Sequence, residues 1–145
     1  MSEHERRPLA PGLKYSRTVT VTDDLTPAHL RNDPIRVLST PDMIRLIEGT
    51  AIEAVKPHLG PDQTTVGTRV DISHLAATPV GMTVTITVEL TEVDRRRLAF
   101  RVEVRDELDE AGKGKHERFI VDAAQRMPRL QDKLQRWKAA GGRPA

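Results

Sequence analysis

The sequence predicts an α+β fold in which an antiparallel sheet curls around one long helix. Three observations predict it. Residues 39–57, STPDMIRLIEGTAIEAVKP, have helical spacing and are apolar over most of their circumference. Several stretches rich in β-branched residues alternate apolar with charged or hydroxyl side chains, the pattern of a sheet with one wet face. The order is strand, long helix, then four strands. A helix apolar over so wide an arc must be wrapped, and a sheet with one apolar face is the natural wrapping.

The helix has its own start and stop signals. Ser39 or Thr40 offers a cap oxygen, Pro41 sits in the first turn, and Asp42 suits the positive end of the dipole. Pro57 ends it. At about 100° per residue, Asp42, Arg45, Gly49, Glu53 and Lys56 form one narrow polar sector. Glu48 falls outside that sector, with Ile44, Ala51, Ile52 and Val55 as its neighbours one turn away. A carboxylate placed there needs an ion-pair partner, an opening to a cleft, or a proton. An interface salt bridge or a solvated boundary position satisfies this requirement, and so does a catalytic carboxylate in an apolar site.

The remaining elements follow in order. Residues 1–12 are polar and proline-containing and are expected to be flexible. Residues 15–22, YSRTVTVT, read as the first strand. Residues 23–38 contain Pro27, Asn32, Asp33 and Pro34 without a clean period, and read as an irregular, lid-like loop. A second strand spans 64–76, with Val66, Thr68, Val70, Ile72 and His74 on one face. The third spans 82–93. Across a turn at Asp94-Arg95-Arg96, a fourth strand directs Leu98, Phe100, Val102 and Val104 one way and Arg97, Arg101, Glu103 and Arg105 the other. Residues 107–114 form a second hairpin loop, and 115–123 the last strand, so the four strands are expected to run as a meander. A short basic helix at 128–140 places Leu130, Leu134 and Trp137 on one side and stops at Gly141-Gly142. This arrangement is the hotdog fold, with the domain at 13–127 and a C-terminal helix and tail at 128–145.

Composition narrows the function. The 145 residues suit one core, and 37% hydrophobic with 3% aromatic content makes that core aliphatic and thin, of the kind oligomerisation completes. With 23 Lys+Arg against 21 Asp+Glu, the net charge of +2 is too small to argue for nucleic acid. Cysteine is absent, which excludes disulfides, thiol catalysis and Cys-ligated zinc. The histidines, at positions 4, 29, 58, 74 and 116, are scattered, so no metal site is expected. No run approaches the roughly 20 apolar residues that span a membrane, and the start carries no signal peptide, so a cytoplasmic location is expected.

Five positions carry candidate chemistry. His74 shares the inner face of its strand with apolar residues. A lone histidine there is usually satisfied by one hydrogen bond, yet an imidazole and the Glu48 carboxylate in one enclosure can divide acid and base roles. Thr40 reads as a helix cap, or as a reactive hydroxyl beside N–H groups able to hold an oxyanion. Gly67 marks a bulge or a close approach of ligand to backbone. His116-Glu117-Arg118 has the character of a solvated edge, with His116 and Arg118 on one side and Glu117 on the other; the zinc motif HExxH is excluded because position 120 is Ile120.

Taken together, Ser39-Thr40, Glu48 eight residues on, Gly67-Thr68, the run HLAATPVGMTV at 74–84 and GKHER at 114–118 resemble the fluoroacetyl-CoA thioesterase family, over roughly residues 13–135. The resemblance implies a homodimeric hotdog thioesterase acting on an acyl-CoA, with no cofactor beyond the CoA of its substrate. It implies a catalytic set at Thr40, Glu48 and His74, with Gly67 close to the acyl group and Arg118 in substrate binding. In that family the loop before the helix carries phenylalanines that screen the pocket. Here residues 29–38, HLRNDPIRVL, hold no aromatic side chain, so a thioesterase for small acyl groups without marked fluorine selectivity is expected. Two other readings stand beside it. A hotdog hydratase needs an Asp–His pair near the helix start, where Asp33-Pro34-Ile35-Arg36 offers the acid but no histidine. A non-catalytic acyl-CoA-binding protein would keep Glu48 and His74 paired and sealed from any cavity.

Overall fold

The computed structural model describes residues 8–143. One five-stranded antiparallel sheet, in the order β1-β3-β4-β5-β2, wraps the long helix. Its strands are β1 (Lys14–Thr20), β2 (Gln63–His74), β3 (Thr83–Asp94), β4 (Arg97–Arg105) and β5 (Glu110–Asp122). The central helix α1 spans Thr40–Val55, and α2 spans Ala123–Ala139. Short 3-10 turns at Asp23–Leu25 and Ala28–Leu30 punctuate the loop before α1.

The alternation in β3 and β4 sets the core. Val84, Ile86, Val88 and Leu90, with Leu98, Phe100, Val102 and Val104, bury one face of the sheet. Against it lie Met43, Ile47, Ala51, Ala54 and Val55 of α1. The opposite face is a lattice of ion pairs, including Arg97–Glu92 at 2.7 Å and Arg101–Glu89 at 2.8 Å. Such exposed pairs contribute little each, but they keep the outer face polar and the register unambiguous.

Three expectations need correction. The four strands after the helix do not form one meander: β3, β4 and β5 are successive neighbours, but β2 pairs with β5 at the sheet's edge. Alternation fixes which face of a strand is buried and says nothing about its neighbour. Because β1 and β2 occupy opposite edges, α1 carries the chain across the sheet between them. The second hairpin loop is also shorter than 107–114, since β5 begins at Glu110. Asp106 closes this turn by accepting from the N–H groups of Leu108 and Asp109 at 2.8 and 2.7 Å. Lastly, the C-terminal helix starts at Ala123, leaving Pro128 inside it and not at its first turn. Its residues Met127, Leu130, Leu134 and Trp137 are exposed.

Residues 1–7 of the segment expected to be flexible lie outside the described residues, while Leu9 packs on the core and Gly12 N–H donates to Leu90 O at 2.8 Å. No helix among the described residues is long and apolar enough to cross a membrane. Ile47 is fully buried between α1 and the sheet. Ile47→Ala is expected to lower the unfolding free energy by about 2–5 kcal/mol, through lost transfer energy and the cavity left behind. A urea titration measures this as a lowered midpoint at unchanged slope.

Candidate active site

The start of α1 separates two hydroxyls by role. Ser39 is the cap: its Oγ accepts from Asp42 N–H at 3.0 Å, and its hydroxyl donates to the Asp42 carboxylate. Arg45 reaches back to Asp42 Oδ1 at 2.7 Å and completes the first turn. Thr40, the other candidate cap, is thereby free of that duty. Its Oγ1 lies 2.7 Å from His74 Nδ1, at the end of β2. The far nitrogen of that ring, Nε2, is buried and has no hydrogen-bond partner among the described residues. Pro27, Val37, Leu38, Leu75 and Ala76 surround this pair in a cleft of about 340 Å³.

A second polar group sits further along α1. Glu48 Oε2 accepts from Arg118 Nη1 at 3.0 Å, the arginine 3% exposed and the glutamate 37%. Arg118 is held on every side. Its Nε donates to Thr65 Oγ1 at 2.7 Å and its Nη2 to Thr65 O at 2.8 Å. Its Nη1 also lies 3.2 Å from His116 Nε2. Burial pushes the guanidinium below its ordinary value, and the hydrogen bond to Glu48 opposes that shift.

His116 is fully buried, with its ring stacked against Phe100. Its Nδ1 lies 2.8 Å from Arg69 O. A carbonyl only accepts and a guanidinium only donates, so Nδ1 carries the proton and Nε2 the lone pair. The ring is therefore neutral. Burial is the main cause that pushes its pKa below 6.5, and Arg118 adds to the shift against the raising effect of the Arg69 carbonyl.

Gly67 joins the second group by being small. A Cβ there would lie 2.5 Å from Glu48 Oε2 and 3.2 Å from Arg118 Nη1. The register against β5 slips between Gly67 and Arg69, so the bulge expected at this glycine is present. It reverses the phase of β2. Thr65 faces inward before it and His74 after it, and Val66, expected on the inner face, lies on the other side.

Within one chain, then, the predicted site residues form two groups. Thr40 meets His74, and Glu48 meets Arg118 beside Gly67; the expectation that Glu48 and His74 share one enclosure is not met. Their helix positions explain it. Thr40 and Glu48 are eight residues apart, about 12 Å along the axis. The reading of His116-Glu117-Arg118 as a solvated edge is also corrected. His116 and Arg118 point inward and are 0% and 3% exposed, while Glu117 alone lies outside, 2.7 Å from Arg97. Thr65 was not singled out by sequence at all. The available signal was the inner phase of β5, where Gly112, Gly114, His116, Arg118 and Ile120 follow one another beneath the helix bearing Glu48. Among the described residues, no group of three or more His, Asp or Glu side chains is placed to hold a metal.

A five-stranded antiparallel sheet wrapped around one long helix defines a hotdog protein. The chain belongs to the fluoroacetyl-CoA-specific thioesterase family, whose model matches residues 21–124. A fluoroacetyl-CoA thioesterase of Streptantibioticus cattleyicolor is 44% identical over 85 residues, 59% of this chain and 61% of that protein. The match thus spans about three fifths of that curated relative's length. A solved structure of a fluoroacetyl-CoA thioesterase superposes with a TM-score of 0.80 at 31% identity, covering 88% of this chain and 98% of that one. A hypothetical protein of Thermus thermophilus, a thioesterase superfamily member, gives a TM-score of 0.81 at 26% identity over 92% of this chain and 98% of its own.

The neutral His116 ties stability to pH. Its folded pKa lies below the unfolded value of 6.5, so the unfolded chain binds the extra proton. The stabilisation is complete above about pH 6.5 and is lost as pH falls from there towards the folded pKa. Urea midpoints are expected to drop between about pH 7.5 and 5.5, and to drop less in His116→Gln.

Proposed function

We propose that the protein hydrolyses the thioester of a small acyl-CoA at sites assembled from two copies of the chain. Thr40 and His74 come from one copy, and Glu48, Gly67 and Arg118 from the other. The observation that carries this reading is the spacing of the two groups: both cannot reach one carbonyl, within the roughly 3 Å that proton transfer or attack requires, from a single helix. Two α1 helices packed antiparallel bring Thr40 of each chain opposite Glu48 of the other. The free edge of β2, with its exposed Val70, and the exposed Ile52 one turn on from Glu48 suit such a packing. Family membership supports hydrolysis as the reaction.

In this reading the substrate carbonyl lies at the N-terminus of α1, where the positive end of the helix dipole stabilises the oxyanion that forms. Glu48 either takes a proton from water as the water oxygen attacks the carbonyl carbon, or attacks it directly to give an anhydride that water then opens. Arg118 holds Oε2 of Glu48, and Oε1 takes no hydrogen bond among the described residues, which leaves it for the reaction. The C–S bond breaks, and the Thr40–His74 pair passes to the thiolate the proton that water gives up, so that each side chain ends as it began. The products are the free acid and CoA. Gly67 keeps the space beside the carboxylate open for the acyl group.

The other two readings lose support. Glu48 is bonded to Arg118 and over a third exposed, not sealed against His74 as a passive binder would have it. Arg36, which stands where the hydratase reading wants a histidine, is committed to Asp23 at 3.1 Å and to Thr26.

Glu48→Gln and Thr40→Ala are each expected to lose about 10²-fold or more in thioester hydrolysis with the fold intact. Mixed and allowed to exchange subunits, the two give mixed dimers with one intact site each. Activity then recovers towards about a quarter of wild type under random pairing. A mixture as inactive as its parents, with exchange verified, places the site within one chain.

Selectivity gives a separate prediction. Fluoroacetyl-CoA and acetyl-CoA are nearly isosteric, and the loop at 29–38 presents no aromatic side chain. Their kcat/KM values are expected to differ by no more than about 10²-fold, the range in which a simple pocket discriminates. A ratio above about 10³ assigns the discrimination to another part of the chain.

A further inference from the structure

We infer that His116 is a positioning residue for Glu48, acting through Arg118 by accepting one Nη1 hydrogen on its Nε2. The inference rests on the proposed role of Glu48. Arg118 Nη1 carries two hydrogens, and two acceptors lie near it: Glu48 Oε2 at 3.0 Å and His116 Nε2 at 3.2 Å. The other end of the guanidinium is fixed by Thr65 through both Oγ1 and the main-chain carbonyl. The imidazole is itself pinned, because Nδ1–H donates to Arg69 O one residue beyond the bulge. A relay of fixed donors thus runs from the β2 backbone through His116 and Arg118 to one oxygen of Glu48. Its effect is directional. With Oε2 held, the carboxylate cannot rotate freely, and the opposite oxygen is presented to the site.

A purely space-filling histidine has no need of this polarity. Protonation of Nε2 would set an N–H against the guanidinium N–H groups, so the relay works only with the neutral Nδ1–H tautomer. Position 116 therefore requires an acceptor facing Arg118, which glutamine supplies through its side-chain oxygen. Asparagine is too short to reach Arg118 while still filling the place of Nδ1.

The test is steady-state kinetics on acetyl-CoA with His116→Asn and His116→Gln, each made in the wild-type and Arg118→Lys backgrounds, with melting temperatures measured alongside. His116→Asn is expected to lower kcat by about 10- to 100-fold, the scale of a small misplacement of a reacting group, with KM nearly unchanged. His116→Gln is expected to recover most of that loss. In the Arg118→Lys background, where the forked guanidinium is gone, His116→Asn is expected to cost little more. An equal loss from His116→Asn in both backgrounds, or a glutamine variant as poor as asparagine despite a native melting temperature, overturns the inference and leaves His116 a core residue. If His116→Asn does not fold, the ring-nitrogen NMR signals of the wild-type protein decide: a protonated Nε2 at neutral pH overturns the relay, and a bare Nε2 supports it. Glu48→Gln, assayed in parallel, separates the two levels. Near-normal turnover there removes both the catalytic reading and this one, whereas an inactive Glu48→Gln beside a fully active His116→Asn removes only this one.

Discussion

A guanidinium held 3% exposed inside an aliphatic domain is the constraint on which much of this structure depends. Withdrawing such a charge from water costs several kcal/mol unless nearly every donor is met. Arg118 therefore dictates its surroundings. It requires a hydroxyl and a carbonyl on the neighbouring strand, an acceptor on its own strand two residues back, and a carboxylate on the helix. Thr65, His116 and Glu48 fill those places. The carboxylate that looks anomalous on an apolar helix is the counter-charge of an arginine 70 residues away, and each makes the other tenable.

The bulge in β2 makes this compatible with the other half of the site. Thr65 and His74 are nine residues apart, an odd separation that puts them on opposite faces of a regular strand. One must face in to hold Arg118, the other to meet Thr40. The extra residue between Gly67 and Arg69 reverses the pleat and lets both do so. The same irregularity places Gly67, the residue without a side chain, directly over the carboxylate. Strand phase, charge burial and access to Glu48 are thus settled by one local feature.

The periodic parts of this fold were legible in the sequence. The limits of α1 and the inner faces of β3 and β4 follow from spacing and backbone chemistry alone, and the same chemistry marks Gly67 as either a bulge or a close approach to the backbone. Strand order was not, because a buried face does not specify which edge a strand joins. The character of His116 and Arg118 was hidden for a related reason. Lys113, Lys115 and Glu117 give the segment a solvated appearance, and the groups that satisfy the two inward side chains lie about 50 to 70 residues earlier. Glu48 was recognisable as out of place, yet local spacing could not name its counter-ion. The resemblance of motifs marked Thr40 and His74 together, and the contact between them needed the folded chain.

The neighbouring hydroxyls at the head of α1 have an evolutionary consequence. A single residue serving both as cap and as reactive group would commit its lone pairs to the Asp42 N–H, and any change to its chemistry would also loosen the helix. With Ser39 bound to Asp42 and Thr40 turned to His74, the two demands fall on separate genetic targets. Natural variation at position 40 can alter the contact with His74 while the cap stays where Ser39 sets it. This head of the helix is a place where sequence can vary without a collapse of the fold.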